Sequence, residues 1–324
     1  MGGVLLGFAI VLVLVAVGFV AAWLLPGEAH AMQRGISPLV YYITNPALMF
    51  LLMSNADLGA VLRTYTPIAL ITAAATGILY AVVAGGLLRR RAGPVAAGAM
   101  ASSYVNAGNI GVPIALYAVG SAAPVVSVLI AQLLVIAPLY LAVFAWCRHR
   151  ADRALGDGTG DEGGAGGGTG GLGATLGRSL ANPVTVATAL GLAAATFSVD
   201  LPAVLAQPVE MLGNASVPLL LLLFGLSLRG QRPMGREARA EVLLGTALKA
   251  LVMPALAWAT GRFLFGLDGI ELLGVVLMAA LPTAQNVFLF AGHFRLATTS
   301  VRDVTLLSMV LALPVSLVVT VLLG

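Results

Sequence analysis

Two short stretches of the sequence place carboxamide side chains beside a proline within long apolar segments. The first runs from Asn106 to Pro113 and reads NAGNIGVP, and the second runs from Leu281 to Asn286 and reads LPTAQN. A carboxamide both donates and accepts hydrogen bonds, so it suits the carboxylate, amide or hydroxyl groups of a small solute. The side chains expected to bind such a solute are those of Asn106, Asn109, Gln285 and Asn286.

The same stretches contain residues that interrupt a helix. Pro113 removes a backbone donor and clashes with the carbonyl of Asn109, and Gly108 and Gly111 weaken the helix further. Pro282 acts in the same way in the second stretch. A break inside a membrane is tolerated only where the freed backbone groups face protein or a wet cavity. The alternative is a proline kink packed by small residues, but the neighbouring asparagines favour a site.

The two stretches occupy corresponding places in the two halves of the chain. At a separation of 176 residues, Asn109 and Ile110 fall on Gln285 and Asn286. Interrupted helices at corresponding places indicate the solute site of a transporter. The broken ends would meet near the middle of the membrane, and their half-helix N-termini would present partial positive charge to an anion.

Lys249 is the one cation in the sequence that lies deep inside an apolar segment. Two interpretations remain open. In the first, the long side chain extends to the membrane interface; in the second, the buried charge has a role in the function of the protein. In the functional case it would attract an anionic solute, or occupy a place where other carriers bind a coupling cation.

The composition identifies the solvent of this protein as lipid. The chain has 324 residues, of which 60% are hydrophobic and only 9% charged, and the mean hydropathy is +1.01. A soluble domain has about 25% charged residues. Backbone groups find no partner in lipid, and the alternating pattern of a membrane barrel is absent, so the apolar segments must be helices. We therefore predict an all-α integral membrane protein.

Ten membrane spans are predicted, with a linker in the middle. The spans cover residues 3–25, 36–54, 66–88, 94–119, 124–147, 182–200, 208–228, 240–262, 270–292 and 302–323. Between the fifth and sixth, residues 156–173 contain eleven glycines among eighteen residues, which is typical of a flexible linker. Five is an odd number, so two related halves would be inverted in the membrane. We expect a first repeat at 1–147, a linker at 148–181 and a second repeat at 182–324.

The positive residues between the spans predict the orientation. Fourteen arginines fall in the odd-numbered gaps, counting Arg302 at the first residue of the last span, and two fall in the even-numbered gaps. By the positive-inside rule, the odd gaps and the linker are cytoplasmic and both termini are extracellular, in the cell membrane. The net charge of +4 is therefore a topology signal, and no nucleic-acid partner is expected.

The sequence offers little for catalysis or metal binding. Acidic residues lie near the ends of the spans, the three histidines fall in separate gaps, and Cys147 is the one cysteine. A metal site needs several such ligands together, and a G-x-S-x-G nucleophile motif is absent. We expect no metal, no cofactor and no enzyme activity.

The span-four pattern Asn106-x-Gly108-x-x-Gly111-x-Pro113, the stretch from Leu248 to Pro254 and the Pro282 segment resemble the auxin efflux carrier family. This family includes plant PIN-type carriers and bacterial malate-permease-like proteins. The resemblance implies a fold similar to bile-acid sodium symporters, within the same bile, arsenite and riboflavin transporter-like superfamily.

The resemblance also implies that the spans form two parts with different functions. Spans 1, 2, 6 and 7 would form a dimeric scaffold, and spans 3–5 and 8–10 would form a mobile transport domain. Spans four and nine would cross near Pro113 and Pro282, and transport would follow an elevator-like cycle.

The expected function is secondary transport of a small organic anion, by efflux or uniport. Candidate solutes include a dicarboxylate, an indole-type acid or an amino-acid-like carboxylate. One alternative is a sodium- or proton-coupled symporter of an organic acid. Another is a membrane enzyme or a sensor that transports nothing.

Overall fold

The computed structural model describes residues 2–154, 183–199, 201–228 and 239–324. Within these residues the regular structure is helical apart from one isolated pair of bridged residues. In chain order, with π-helical turns counted in their helices, these are α1 (Gly2–Leu24), α2 (Pro26–Ser54), α3 (Leu58–Leu87), α4 (Ala92–Ser103), α5 (Ala107–Val119), α6 (Ala123–Ala154), α7 (Pro183–Phe197), α8 (Ala203–Ser227), α9 (Arg239–Leu264), α10 (Gly269–Ala280), α11 (Asn286–His293) and α12 (Thr298–Leu323). Most of the predicted linker, residues 148–181, lies outside the described residues.

Six of these helices are long and apolar enough to cross a membrane, as judged from length and composition. They are α2, α3, α6, α8, α9 and α12. Helices α5, α7 and α10 and residues 9–24 of α1 are shorter but also apolar. A hydrocarbon core of about 30 Å requires about 20 apolar residues per spanning helix. The prediction of an all-α membrane protein is confirmed.

Several helices begin earlier than predicted. The second helix begins at Pro26 rather than near residue 36, so the first predicted gap is helical. The third begins at Leu58 rather than near residue 66. The last begins at Thr298, which places Arg302 four residues inside a helix rather than at its first residue. Hydropathy ends where polar residues begin, whereas a helix continues until its backbone bonding stops, so the apolar pattern underestimated these helices.

Prolines are accommodated in five helices by a preceding wide turn. Five π-helical turns end two residues before a proline: Val40–Thr44 before Pro46, Val61–Tyr65 before Pro67, Ala107–Gly111 before Pro113, Gln132–Ile136 before Pro138, and Leu248–Val252 before Pro254. A proline has no N–H, and its ring clashes with the carbonyl four residues earlier. Bonding over five residues instead of four avoids that clash, so the helix continues through the proline.

The helices pack in two groups. In the first group, α1 packs on α8, and α2 packs on α7 and α8. In the second group, α3 packs on α4 and α6, and α12 packs on α4, α9, α10 and α11. The groups meet mainly where α5 contacts α1 and α8. Every cavity and crossing described below is positioned by these two groups.

Close packing within the first group depends on glycines. A Cβ on Gly225 of α8 would clash with the carbonyl oxygen of Val15 and lie 2.8 Å from the backbone nitrogen of Phe19, both in α1. A Cβ on Gly18 would in turn meet the backbone of α8. Small residues allow helix backbones to approach closely in membranes, where such packing is the main force between helices.

Gly225→Ala is therefore expected to destabilise the protein by about 1–3 kcal/mol, because the added methyl group meets backbone atoms that cannot move aside. Thermal unfolding of the detergent-solubilised protein measures the change. The matched control is Gly35→Ala, since Gly35 is exposed in α2, a Cβ added there would meet nothing within 4 Å, and alanine favours the helix. Equal melting temperatures for the two variants would contradict this account of the packing.

Candidate functional site

Two interrupted helical segments, α4–α5 and α10–α11, cross each other. The first is interrupted between Ser103, where α4 ends, and Ala107, where α5 begins. The second is interrupted between Ala280, where α10 ends, and Asn286, where α11 begins. Both interruptions fall within or directly beside the carboxamide-rich stretches identified from the sequence.

The two interruptions pair with each other through their backbones. Val105 and Thr283 form an antiparallel bridge. The backbone nitrogen of Asn106 donates to the carbonyl oxygen of Pro282 at 2.8 Å, and that of Ala284 donates to the carbonyl oxygen of Tyr104 at 3.1 Å. Each break thus satisfies part of the other's backbone, which membrane burial requires.

Buried side chains satisfy further backbone groups at the crossing. The Gln132 amide donates to the carbonyl oxygen of Val105 at 2.7 Å, and the Thr283 hydroxyl donates to that of Ala101 at 2.6 Å. The Ser308 hydroxyl accepts from the backbone nitrogen of Thr283 at 3.0 Å. These bonds hold the extended residues in place because few other partners exist at that depth.

Thr283→Val is expected to destabilise the protein by about 1–3 kcal/mol, because it keeps the shape of the side chain but leaves the buried Ala101 carbonyl without its donor. The midpoint of thermal unfolding in detergent measures this loss. Thr196→Val is the control, since the Thr196 hydroxyl donates to the Leu192 carbonyl of its own helix at an exposed position. A loss no larger than that of the control would mean that Thr283 does not stabilise the crossing.

The predicted carboxamides come together beside the crossing. Asn106, Asn109, Gln285 and Asn286 all line one cavity of about 660 Å³ and also a smaller adjoining one of about 170 Å³. The Asn106 side chain is buried and accepts from the backbone nitrogen of Asn109 at 3.3 Å. The other three residues are exposed to the cavity. Helices α5 and α11 both begin here, so two half-helix N-termini add partial positive charge.

The larger cavity lies between the two helix groups. Tyr41 and Asn45 of α2 and Leu220 and Phe224 of α8 form its wall on the first group. The carboxamides and one face of α12 form its wall on the second group. A solute bound here would contact both groups at once.

The crossing does not involve Pro113 in the expected way. The break lies at residues 104–106, and Pro113 follows a π-helical turn inside α5, which continues through it. The expected crossing at Pro113 is thus corrected, whereas Pro282 does lie within the second break.

Gly111 approaches that break closely, since a Cβ there would lie 2.8 Å from a methyl carbon of Leu281. A Cβ on Gly108 would meet nothing closer than 4.0 Å, so Gly108 is not required by close contact.

Lys249 lies outside both cavities that the carboxamides line. Its side chain is 1% exposed, and its Nζ donates to the carbonyl oxygen of Ala279 at 3.1 Å and to the Met253 sulfur at 3.0 Å. Ala279 is close to the last residue of α10, where carbonyl groups lack helical partners. Lys249 therefore binds the carbonyl end of a broken helix, and its side chain reaches neither the protein surface nor the cavities that the carboxamides line.

Arg302 is a cavity residue that the sequence analysis missed. It lines the larger cavity together with Thr305 and Met309, on one face of α12. Its Nε and Nη2 donate to Oδ1 of the neighbouring Asp303, which is buried. Arg302 had been counted among the gap arginines that set topology. The helical spacing of Arg302, Thr305 and Met309 could have revealed it.

Comparisons with known proteins identify relatives that are named as transporters or carriers. A family model described as "Membrane transport protein" matches residues 172–320. The chain is 29% identical over 311 residues to a Rhizobium meliloti (strain 1021) protein named "Putative malonate transporter", covering 91% of this chain and 89% of that protein.

Plant proteins match part of the chain. "Auxin efflux carrier component 3a" of Oryza sativa subsp. japonica and "Auxin efflux carrier component 4" of Arabidopsis thaliana are each 27% identical over 149 residues. Each match covers 45% of this chain but only 24% of the plant protein. The bacterial relative, by contrast, is matched over nearly its whole length.

Proposed function

Since the chain belongs to the auxin efflux carrier family of membrane transporters, we propose that it carries a small organic anion through the cavity at the crossing. The observation that supports this most is the meeting of two broken helices whose carboxamides face one cavity. Asn109, Gln285 and Asn286 are exposed there, and their side chains make no hydrogen bond to the described part of the chain. Open amide groups and half-helix N-termini suit the carboxylate of a solute.

A guanidinium on the cavity wall offers further donors to an anion. Arg302 supplies a guanidinium to the cavity wall, a role that the sequence had suggested for Lys249. A guanidinium stays charged in proteins and matches the planar geometry of a carboxylate. Lys249 then has a structural role, because it donates to a carbonyl at the end of α10.

The two helix groups correspond to a scaffold and a mobile transport domain. The first group contains the predicted spans 1, 2, 6 and 7, and the second contains spans 3–5 and 8–10. The cavity lies between them, so sliding of the second group past the first would carry the solute across the membrane in an elevator-like cycle. A homodimer would form through the scaffold, whose α1 and α8 expose apolar side chains such as Trp23 and Met211.

Ten spans in two inverted repeats remain the proposed topology. Helices α4 and α10 support it, because each has 12 residues and directly precedes a break, and their first residues are 177 positions apart. The antiparallel pairing of Val105 with Thr283 agrees with opposite chain directions. The cavity is lined by Gln33, Ser227 and Arg302, which adjoin the arginine-rich gaps, so it would face the cytoplasm.

Uptake of labelled acids into proteoliposomes tests the function. Vesicles preloaded with unlabelled dicarboxylate or monocarboxylate should accumulate the labelled acid, and empty vesicles without protein should not. Repeating the assay with and without a sodium or proton gradient separates uniport from the coupled symport considered from the sequence. If no carboxylate exchanged under any gradient, an organic-anion carrier would be the wrong proposal.

A further inference from the structure

Arg302 is placed to contact a solute that already contacts the carboxamides. It lies near the start of α12, its side chain is 50% exposed, and it lines the same cavity as Asn109 and Gln285. Thr305 and Met309 continue the same wall towards the crossing. An arginine that faces a cavity in a membrane protein presents donors that water or a solute must satisfy.

The guanidinium is held in a fixed orientation. Its Nε donates to Asp303 Oδ1 at 3.0 Å and its Nη2 donates to the same oxygen at 2.8 Å. Asp303 is 1% exposed, so this anchor does not move freely. Arginine has five N–H donors in a rigid plane, and two are used here, which leaves three for a second carboxylate.

The spacing along α12 separates Arg302 from the crossing. The Ser308 hydroxyl contacts Thr283 at the crossing, and Arg302 precedes Ser308 by six residues. Six residues of α-helix rise about 9 Å, part of which the arginine side chain covers. A solute that contacts both Arg302 and the carboxamides along this wall therefore needs a polar group at each end, which a dicarboxylate has and a monocarboxylate lacks.

We infer that Arg302 is the residue that selects dicarboxylates over monocarboxylates, by binding the second carboxylate while the carboxamides bind the first. This inference rests on the proposed function as an organic-anion carrier. Arginine suits this role better than lysine, because its paired donors bind both oxygens of a carboxylate. Asp303 acts as a positioning residue that aims the guanidinium.

The test compares uptake of a three- or four-carbon dicarboxylate with that of the monocarboxylate of equal chain length. Arg302→Gln is expected to lower kcat/KM for the dicarboxylate by about 10- to 100-fold, because a charge-assisted pair is lost. Uptake of the monocarboxylate should change by less than about 3-fold, which is the size of effect expected from a substitution at a protein surface. Arg302→Lys should recover part of the lost selectivity.

The matched control is Arg34→Gln. It removes the same charge from α2, where Arg34 is exposed and its Nε donates to the His30 carbonyl one turn earlier, and it should leave both uptakes unchanged. Equal losses for both acids in well-folded Arg302→Gln would overturn the inference, since they would indicate a structural role. If Arg302→Gln does not give monodisperse protein, the ratio of the two uptakes in Arg302→Lys decides in the same way.

The wild-type protein separates this inference from the proposed function. Wild-type uptake of both acids at equal efficiency would leave the organic-anion carrier standing and overturn the role of Arg302. Wild-type protein that neither transports nor binds any carboxylate, as measured by calorimetry in detergent, would overturn both.

Discussion

Replacing Asn109 and Gln285 together by alanine is expected to lower carboxylate uptake by about 100-fold, because in the proposed site each carboxamide would supply a hydrogen bond to a charged solute group. Both side chains face the cavity, one from each broken segment. Neither side chain bonds to the residues that the structure describes, so their removal should cost little stability. Initial rates of labelled-acid exchange in proteoliposomes measure the loss, and thermal unfolding in detergent checks the fold. Each single variant should lose about 10-fold.

Asn55→Ala is the control for this prediction. Asn55 is an exposed carboxamide that bonds within its own helix end and lies outside the cavity lining. It should transport like the wild-type protein. If the Asn109 and Gln285 variants also transported normally, the carboxamides would not be the solute site, and the proposed function would lose its main support.

Linking the two helix groups across the cavity is expected to abolish transport completely and reversibly. Leu223 of α8 and Leu306 of α12 line the cavity from opposite groups, so cysteines at both places can be joined by a flexible bismethanethiosulfonate reagent. Cys147 is replaced by alanine beforehand, because it is the one native cysteine. An elevator-like cycle needs the groups to slide past each other, so the linked protein should not exchange labelled acid. Dithiothreitol should restore exchange.

A second pair of cysteines controls for blockage by the reagent itself. Phe288 of α11 and Leu306 line the same cavity but belong to one group. Linking these two should leave most of the transport intact, because no relative movement between the groups is prevented. Full activity in the Leu223–Leu306 linked protein would show that the groups need not move, and would exclude the elevator-like cycle.

The sequence located the second interruption because that break depends on local chemistry. Pro282 lacks a backbone donor and disfavours a helical Leu281, whose ψ is 150°, so the break occurs where the residue types require it. The first break was placed too close to Pro113, because a π-helical turn removes the clash that was expected there. A wide turn depends on neighbouring contacts, and residue spacing alone does not distinguish it from a break.

Tertiary contacts determine the surroundings of two cations, one buried and one half-buried. Lys249 stood out in the sequence, but the direction of its side chain depends on which side of α9 faces α10. Arg302 was misplaced because hydropathy began the last predicted span four residues too late. Its contribution to the cavity follows from packing between helices, which one sequence does not record.

The π-helical turns before five prolines affect how proline substitutions should be interpreted. Each turn holds one residue more than regular geometry would, so changing Pro113 or Pro254 to alanine alone would leave that surplus residue in place. Removing the bulge would require a compensating single-residue deletion, which would rotate everything beyond it by about 100°. An alanine scan of these prolines would therefore underestimate their part in shaping the helices.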